Sequence, residues 1–145
     1  MINLKKFIFT SLISFLAAAV SADIIFSCKT PTGKLVQVQS KGNSYQYSFG
    51  RSNNPELIFS NPKTDVRNRT KGNWTYVGQT QRSNMIFKNN DYNYEVFYQE
   101  YYETPNKTPV IHKGVSVSKN SGKPTIIYCT NKEKAILNWY DEGFL

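Results

Sequence analysis

The sequence predicts an all-β domain, a small antiparallel sandwich or barrel of about eight strands, and three observations predict it. The first is the stretch from Met85 to Tyr102, a short strand, a turn at Asn89-Asn90-Asp91 and one long strand. In the long strand Tyr92, Tyr94, Val96 and Tyr98 fall on one face, and Asn93, Glu95 and Gln99 on the other, with Phe97 the apolar exception. That period of two marks a half-buried β-strand. The second is a pair of alternating runs, Val36 and Val38 between Gln37 and Gln39, then Tyr45, Tyr47 and Phe49 between Ser44, Gln46 and Ser48. Lys41-Gly42-Asn43 joins them, which makes a β-hairpin. The third is the punctuation: short apolar runs separated by Gly, Pro, Asn and Ser turns, with at most one segment of helical spacing.

The elements follow in order. Residues 1–22 read as a secretory signal peptide, with Lys5 and Lys6 before the apolar run of residues 7–20 and small residues Val20-Ser21-Ala22 at the exit. A membrane anchor is the alternative, but the run falls short of the roughly 20 residues that span a bilayer. Cleavage near Ala22 would deliver one domain, residues 23–145, to the periplasm or the exterior, with no membrane span. Residues 23–29 form a first strand carrying Cys28, and Thr30-Pro31-Thr32-Gly33 turns the chain into the hairpin. A loop over residues 50–55 leads to a short strand around Leu57, Ile58 and Phe59. Residues 61–73, nearly without apolar side chains, are expected to be the least structured part. Residues 74–77 read as a strand and residues 78–84 as a polar lead into the central hairpin. Thr104-Pro105 and Thr108-Pro109 break pairing. Val115 and Val117 alternate in the next strand, Asn120-Ser121-Gly122 turns it, and residues 125–129 close the sheet. Residues 132–140 read either as a short C-terminal helix, with Ile136, Trp139 and Tyr140 on its apolar side, or as a final strand.

Composition narrows the function classes without choosing one. The 145 residues carry 18 Lys and Arg against 10 Asp and Glu. Without Lys5 and Lys6 the domain keeps 16 cations and a net charge of +6. A moderately basic exported domain suits an acidic protein or an anionic envelope glycan or lipid; no nucleic acid is expected. Export implies an oxidising compartment, and two cysteines allow one pairing, so Cys28 and Cys129 are predicted to form a disulfide. A reactive thiol has little behind it, because no Cys-x-x-Cys occurs.

Aromatic content is the unusual feature. Ten Tyr, nine Phe and two Trp become 18 rings in 123 residues once Phe7, Phe9 and Phe15 are set aside. Rings stack sugars or bases, and rings also fill a small β-core with hydroxyls at its rim; the second is the plainer reading. Tyr92, Tyr94 and Tyr98 are core-facing by alternation. Phe97, Tyr101 and Tyr102 break the pattern and are candidates for a partner-facing patch. A second candidate is the basic stretch of residues 63–82, with Lys63, Arg67, Arg69, Lys71 and Arg82 opposed only by Asp65 and interleaved with Trp74 and Tyr76. An anionic partner wants such a stretch, and a solvated loop has the same composition.

Catalysis is poorly supported. His112 is the only histidine, so no His-based metal cluster can form. No Gly-x-Ser-x-Gly elbow and no phosphate-cradling glycine loop occurs. Asp91 and Glu95 beside the turn make at best a remote carboxylate pair. No catalytic residue, cofactor or metal is expected. Sequons at Asn68, Asn73 and Asn106 matter only in a eukaryotic secretory pathway.

Taken together, Phe26-x-Cys28, Gly33-Lys34, Tyr45-x-Tyr47-x-Phe49-Gly50, Pro55-Glu56-Leu57, Trp74, Gly78, the tyrosine run from Asn89 to Val96, Gly114-Val115-x-Val117 and Cys129 resemble a group of small exported β-domain proteins of Gram-negative bacteria with two terminal cysteines. The resemblance implies a periplasmic, disulfide-closed β-domain and brings no catalytic residues. The expectation is a non-catalytic binding protein, an inhibitor or immunity factor against a cell-wall-targeting enzyme or toxin. The alternative is an envelope protein that binds anionic glycan or lipid.

Overall fold

The computed structural model describes residues 22–70, 75–139 and 142, with the side chains of Thr75, Tyr76 and Val77 left aside. Residues 1–21, over which a signal peptide is expected, and Lys71, Trp74 and Tyr140 lie outside the described residues. Among the described residues ten strands make two antiparallel five-stranded sheets. The first sheet is a meander of β1 (Asp23–Lys29), β2 (Leu35–Lys41), β3 (Ser44–Arg51) and β4 (Asn54–Pro62). Helix α1 (Lys63–Arg69) carries the chain across. The second sheet is β5 (Thr75–Val77), β6 (Thr80–Asn89), β7 (Tyr92–Tyr101), β8 (Val110–Lys119) and β9 (Thr125–Tyr128). The chain then returns to the first sheet, where β10 (Ile136–Leu137) pairs with β1.

Alternation places the core between the sheets. Val36, Val38, Tyr45 and Tyr47 of the first sheet and Met85, Phe87, Val96 and Val115 of the second are buried. Their neighbours Gln37, Gln39, Gln46 and Glu95 stand on the outer faces, as a period of two requires. Tyr47 and Phe59 meet Phe87 and Tyr94 in a four-ring cluster across the layers, with centroids 5.1 to 6.4 Å apart. Tilted and edge-on contacts of this kind add roughly 0.5–1.5 kcal/mol per pair beyond burial. The plainer reading of the tyrosines therefore holds for Tyr47, Tyr94 and Tyr98. Tyr92 is a correction: as the first residue of β7, beside the turn, it is 43% exposed, and its ring lies under the Lys119 ammonium at 6.0 Å.

Both open sides of the sandwich are joined. On one side Asn61 of β4 accepts from the Lys88 amide at 2.7 Å and donates to the Lys88 carbonyl at 2.9 Å. Its side-chain amide thus mimics a strand across the gap. On the other side the Cys28–Cys129 disulfide forms between the sheets, 101 residues apart in sequence, and the Thr130 amide donates to the Lys29 carbonyl at 2.8 Å.

Two further expectations change, and one open alternative is decided. Residues 61–73 were expected to be the least structured stretch, but over its described part, residues 61–70, β4 runs to Pro62 and α1 follows, anchored by the wholly buried Val66; residues 71–73 lie outside the described residues. Residues 78–84 are not a polar lead-in, since β6 begins at Thr80 and pairs with β7 along its length. The C-terminal segment holds β10 rather than a helix, because Phe26 and Ser27 of β1 offer an edge to pair with, and Trp139 then stacks on Phe26 at 5.6 Å. Among the described residues the one α-helix is α1, between β4 and β5 in chain order. Among the described residues no helix is long and apolar enough to cross a membrane.

Candidate functional site

Register builds a platform on the outer face of the second sheet. Phe97 pairs with Gly114, and Gly114 pairs with Tyr128, so three neighbouring positions present ring, hydrogen and ring. The missing side chain at Gly114 lets Phe97 and Tyr128 meet edge to face, 6.0 Å between centroids. His112 closes on the other side of Tyr128 at 6.1 Å. The Arg82 guanidinium lies 4.9 Å over the Phe97 ring, a cation–π arrangement. Glu95 holds that guanidinium at 2.8 Å and Gln99 at 3.2 Å, while Asn84 donates to the same Glu95 oxygen at 2.6 Å. The arginine plane is thereby oriented before any partner arrives.

Phe97 corrects its expectation of exposure. It does stand on the outer face, but Arg82 and Tyr128 cover it to 3%. The exposed rings are Tyr128 at 50% and, at the far end of β7 on the same face, Tyr101 at 42%. Val110, the register partner of Tyr101, and Ile126 are exposed as well. An outer sheet face is ordinarily polar; here aromatic and aliphatic groups run along it beside a fixed cation.

The basic stretch of residues 63–82 does not assemble as one surface. Lys63 and Arg67 turn to Glu142, whose carboxylate lies 3.1 Å from Lys63 Nζ and accepts from the Tyr45 hydroxyl at 2.6 Å. Arg67 also donates to the Glu142 carbonyl at 2.9 Å. Arg69 donates to the Ile86 carbonyl at 3.2 Å and to Asn61 at 2.7 Å, which ties α1 to the joined side of the sandwich. Arg82 alone of the described cations in this stretch reaches the aromatic platform. Tyr102 does not join it either; its hydroxyl donates to Glu100.

The sequence reading missed His112, weighed only as the single histidine and here found within β8, and Tyr128, taken only as part of the closing strand. Gly114, two residues after His112 in an alternating run, was the available signal. Among the described residues no group of three His, Cys, Asp or Glu is placed to hold a metal ion. Comparison with family models, curated proteins and solved structures found no match for the chain.

Proposed function

We propose that this chain is a non-catalytic binding protein of the exported or periplasmic kind, an inhibitor or immunity factor that blocks an acidic cell-wall-targeting enzyme or toxin. It meets that partner with the outer face of the second sheet, around Arg82, Phe97, His112 and Tyr128. The observation that carries this reading is the prearranged guanidinium–ring–ring platform, with Tyr128 half exposed above a buried Phe97. Tyr and Arg held rigidly at the centre of a patch are the residues that dominate protein–protein affinity, because little side-chain entropy is lost when they dock. The domain's net charge of +6, with Lys5 and Lys6 set aside, favours an acidic partner and raises its rate of encounter. It disfavours a cationic wall-degrading enzyme, since like charges repel.

The test uses the mature, oxidised domain immobilised against envelope extracts of its host and of competing bacteria. The expected result is one acidic wall-degrading protein, whose activity falls when the domain is added in solution. Tyr128→Ala should weaken that capture by about 2 kcal/mol, roughly thirtyfold, while costing stability only the roughly 1 kcal/mol of its edge-on contact with Phe97. Recovery of glycan or lipid alone, washed off as ionic strength rises, would transfer the proposal to envelope binding.

A further inference from the structure

A cleft of about 460 Å³ opens between the ends of β7 and β8 and the returning segment 131–137. It lies on the inner side of the second sheet, away from the outer-face platform. Its apolar walls are the Tyr98 ring, Pro109, Ile111, Ala135 and Leu137, with Val110 at the strand end on its edge. Asn131, Glu133 and Lys134 stand at its exposed margin, and one polar wall residue is buried. Lys113 shares its inward face with Val115 and Val117 and is 4% exposed. Its ammonium donates to the Glu133 carbonyl at 3.0 Å. The Glu133 carboxylate turns away to Lys29 at 3.2 Å, and among the described residues no carboxylate pairs with Lys113. An ammonium carries three donors and a full charge. Here one donor is met by a main-chain oxygen and the charge is met by nothing. Burial accordingly holds Lys113 below the usual lysine range.

We propose that this cleft is a binding site for a small monocarboxylate with an apolar tail, whose headgroup pairs with Lys113 and whose tail lies along Ile111, Ala135 and Leu137. A buried cation without a counter-ion is costly, and a carboxylate brought to it in a low-dielectric setting replaces the hydration it has lost. The aliphatic walls take up the tail by ordinary hydrophobic burial. The volume lies in the range of small-ligand pockets, which combine apolar walls with very few polar groups. Lys134 at the rim adds a second cation on the path of an approaching anion.

Decanoate, kept below its micelle concentration, is the probe, with decanol as the uncharged control. Titration calorimetry on the oxidised domain should show decanoate binding at least tenfold more tightly than decanol. Lys113→Met should abolish that preference; it should also fold with a raised melting temperature, since it deletes an uncompensated buried charge. Ala135→Trp, which keeps Lys113 and fills the cleft, should weaken both probes at least tenfold. In lysines labelled by reductive methylation, the Lys113 signal should titrate at higher pH once decanoate is bound. Equal binding of decanol and decanoate, binding unchanged in either variant, or no binding of decanoate would overturn the proposal.

Discussion

Glu142 shows how one residue couples the fold to pH. Burial alone would push its carboxyl up. Hydrogen bonds from Tyr45, Ser40 and Lys63, together with the Lys63 charge, outweigh burial and hold it below its usual range. A depressed value in the folded state means that the native protein binds this proton more weakly than the unfolded chain does. The stabilisation is therefore present above the unfolded value, near 4.5, and is lost as pH falls through the lower folded one. Glu142→Gln should lower the melting temperature at pH 7 and should approach wild type as the pH drops toward 3. Thermal unfolding of the two proteins between pH 7 and pH 3 checks this; parallel curves at a constant offset would contradict it. The sequence shows Tyr45 as an inward ring by alternation. It does not show that its hydroxyl meets a carboxylate 97 residues away, because no local pattern encodes that contact.

Single strands explain which elements were legible. The hairpin of β2 and β3 lies where Val36, Val38, Tyr45 and Tyr47 place it, because one buried face forces strict alternation and a slip of one residue would turn every ring outward. Helix α1 was not legible. Seven residues hold too few turns for a 3.6-residue period to emerge, and Val66 is its single buried apolar anchor. Strand β8 carries the most varied duties. Val115 and Val117 face the core, Lys113 lines the cleft, and Gly114 separates Phe97 from Tyr128. A Cβ on Gly114 would come within 2.1 Å of the Ile127 carbonyl oxygen, and its φ of +154° lies where side chains are disfavoured. Gly114→Ala should thus force β9 away from β8 and cost about 3 kcal/mol. A fall in the urea midpoint, with reduced capture of the platform's partner, checks it. A variant as stable as wild type would show that β9 shifts without penalty.

At the scale of the molecule, the sandwich depends on what joins its two sides. Asn61 and α1 hold one side, and the Cys28–Cys129 disulfide holds the other. A cross-link spanning 101 residues removes much freedom from the unfolded chain, about 4–5 kcal/mol in the chain-entropy account. The Cys28→Ser/Cys129→Ser double variant should lose stability of that order in urea unfolding, and a loss below about 1 kcal/mol would show that Asn61 and the β1–β10 pairing suffice. What the sequence by itself determined is the β class, the inward faces of the long strands and the single disulfide, because each follows from a local period or from having only two cysteines. The tertiary structure alone decided that Arg82, Phe97, His112 and Tyr128 share one platform, that Lys63 and Arg67 turn inward to Glu142, and that Lys113 lines an apolar cleft without a counter-ion. Those arrangements depend on strand register and on how the two sheets stack, and register is a relation between distant segments that no single stretch of chain contains.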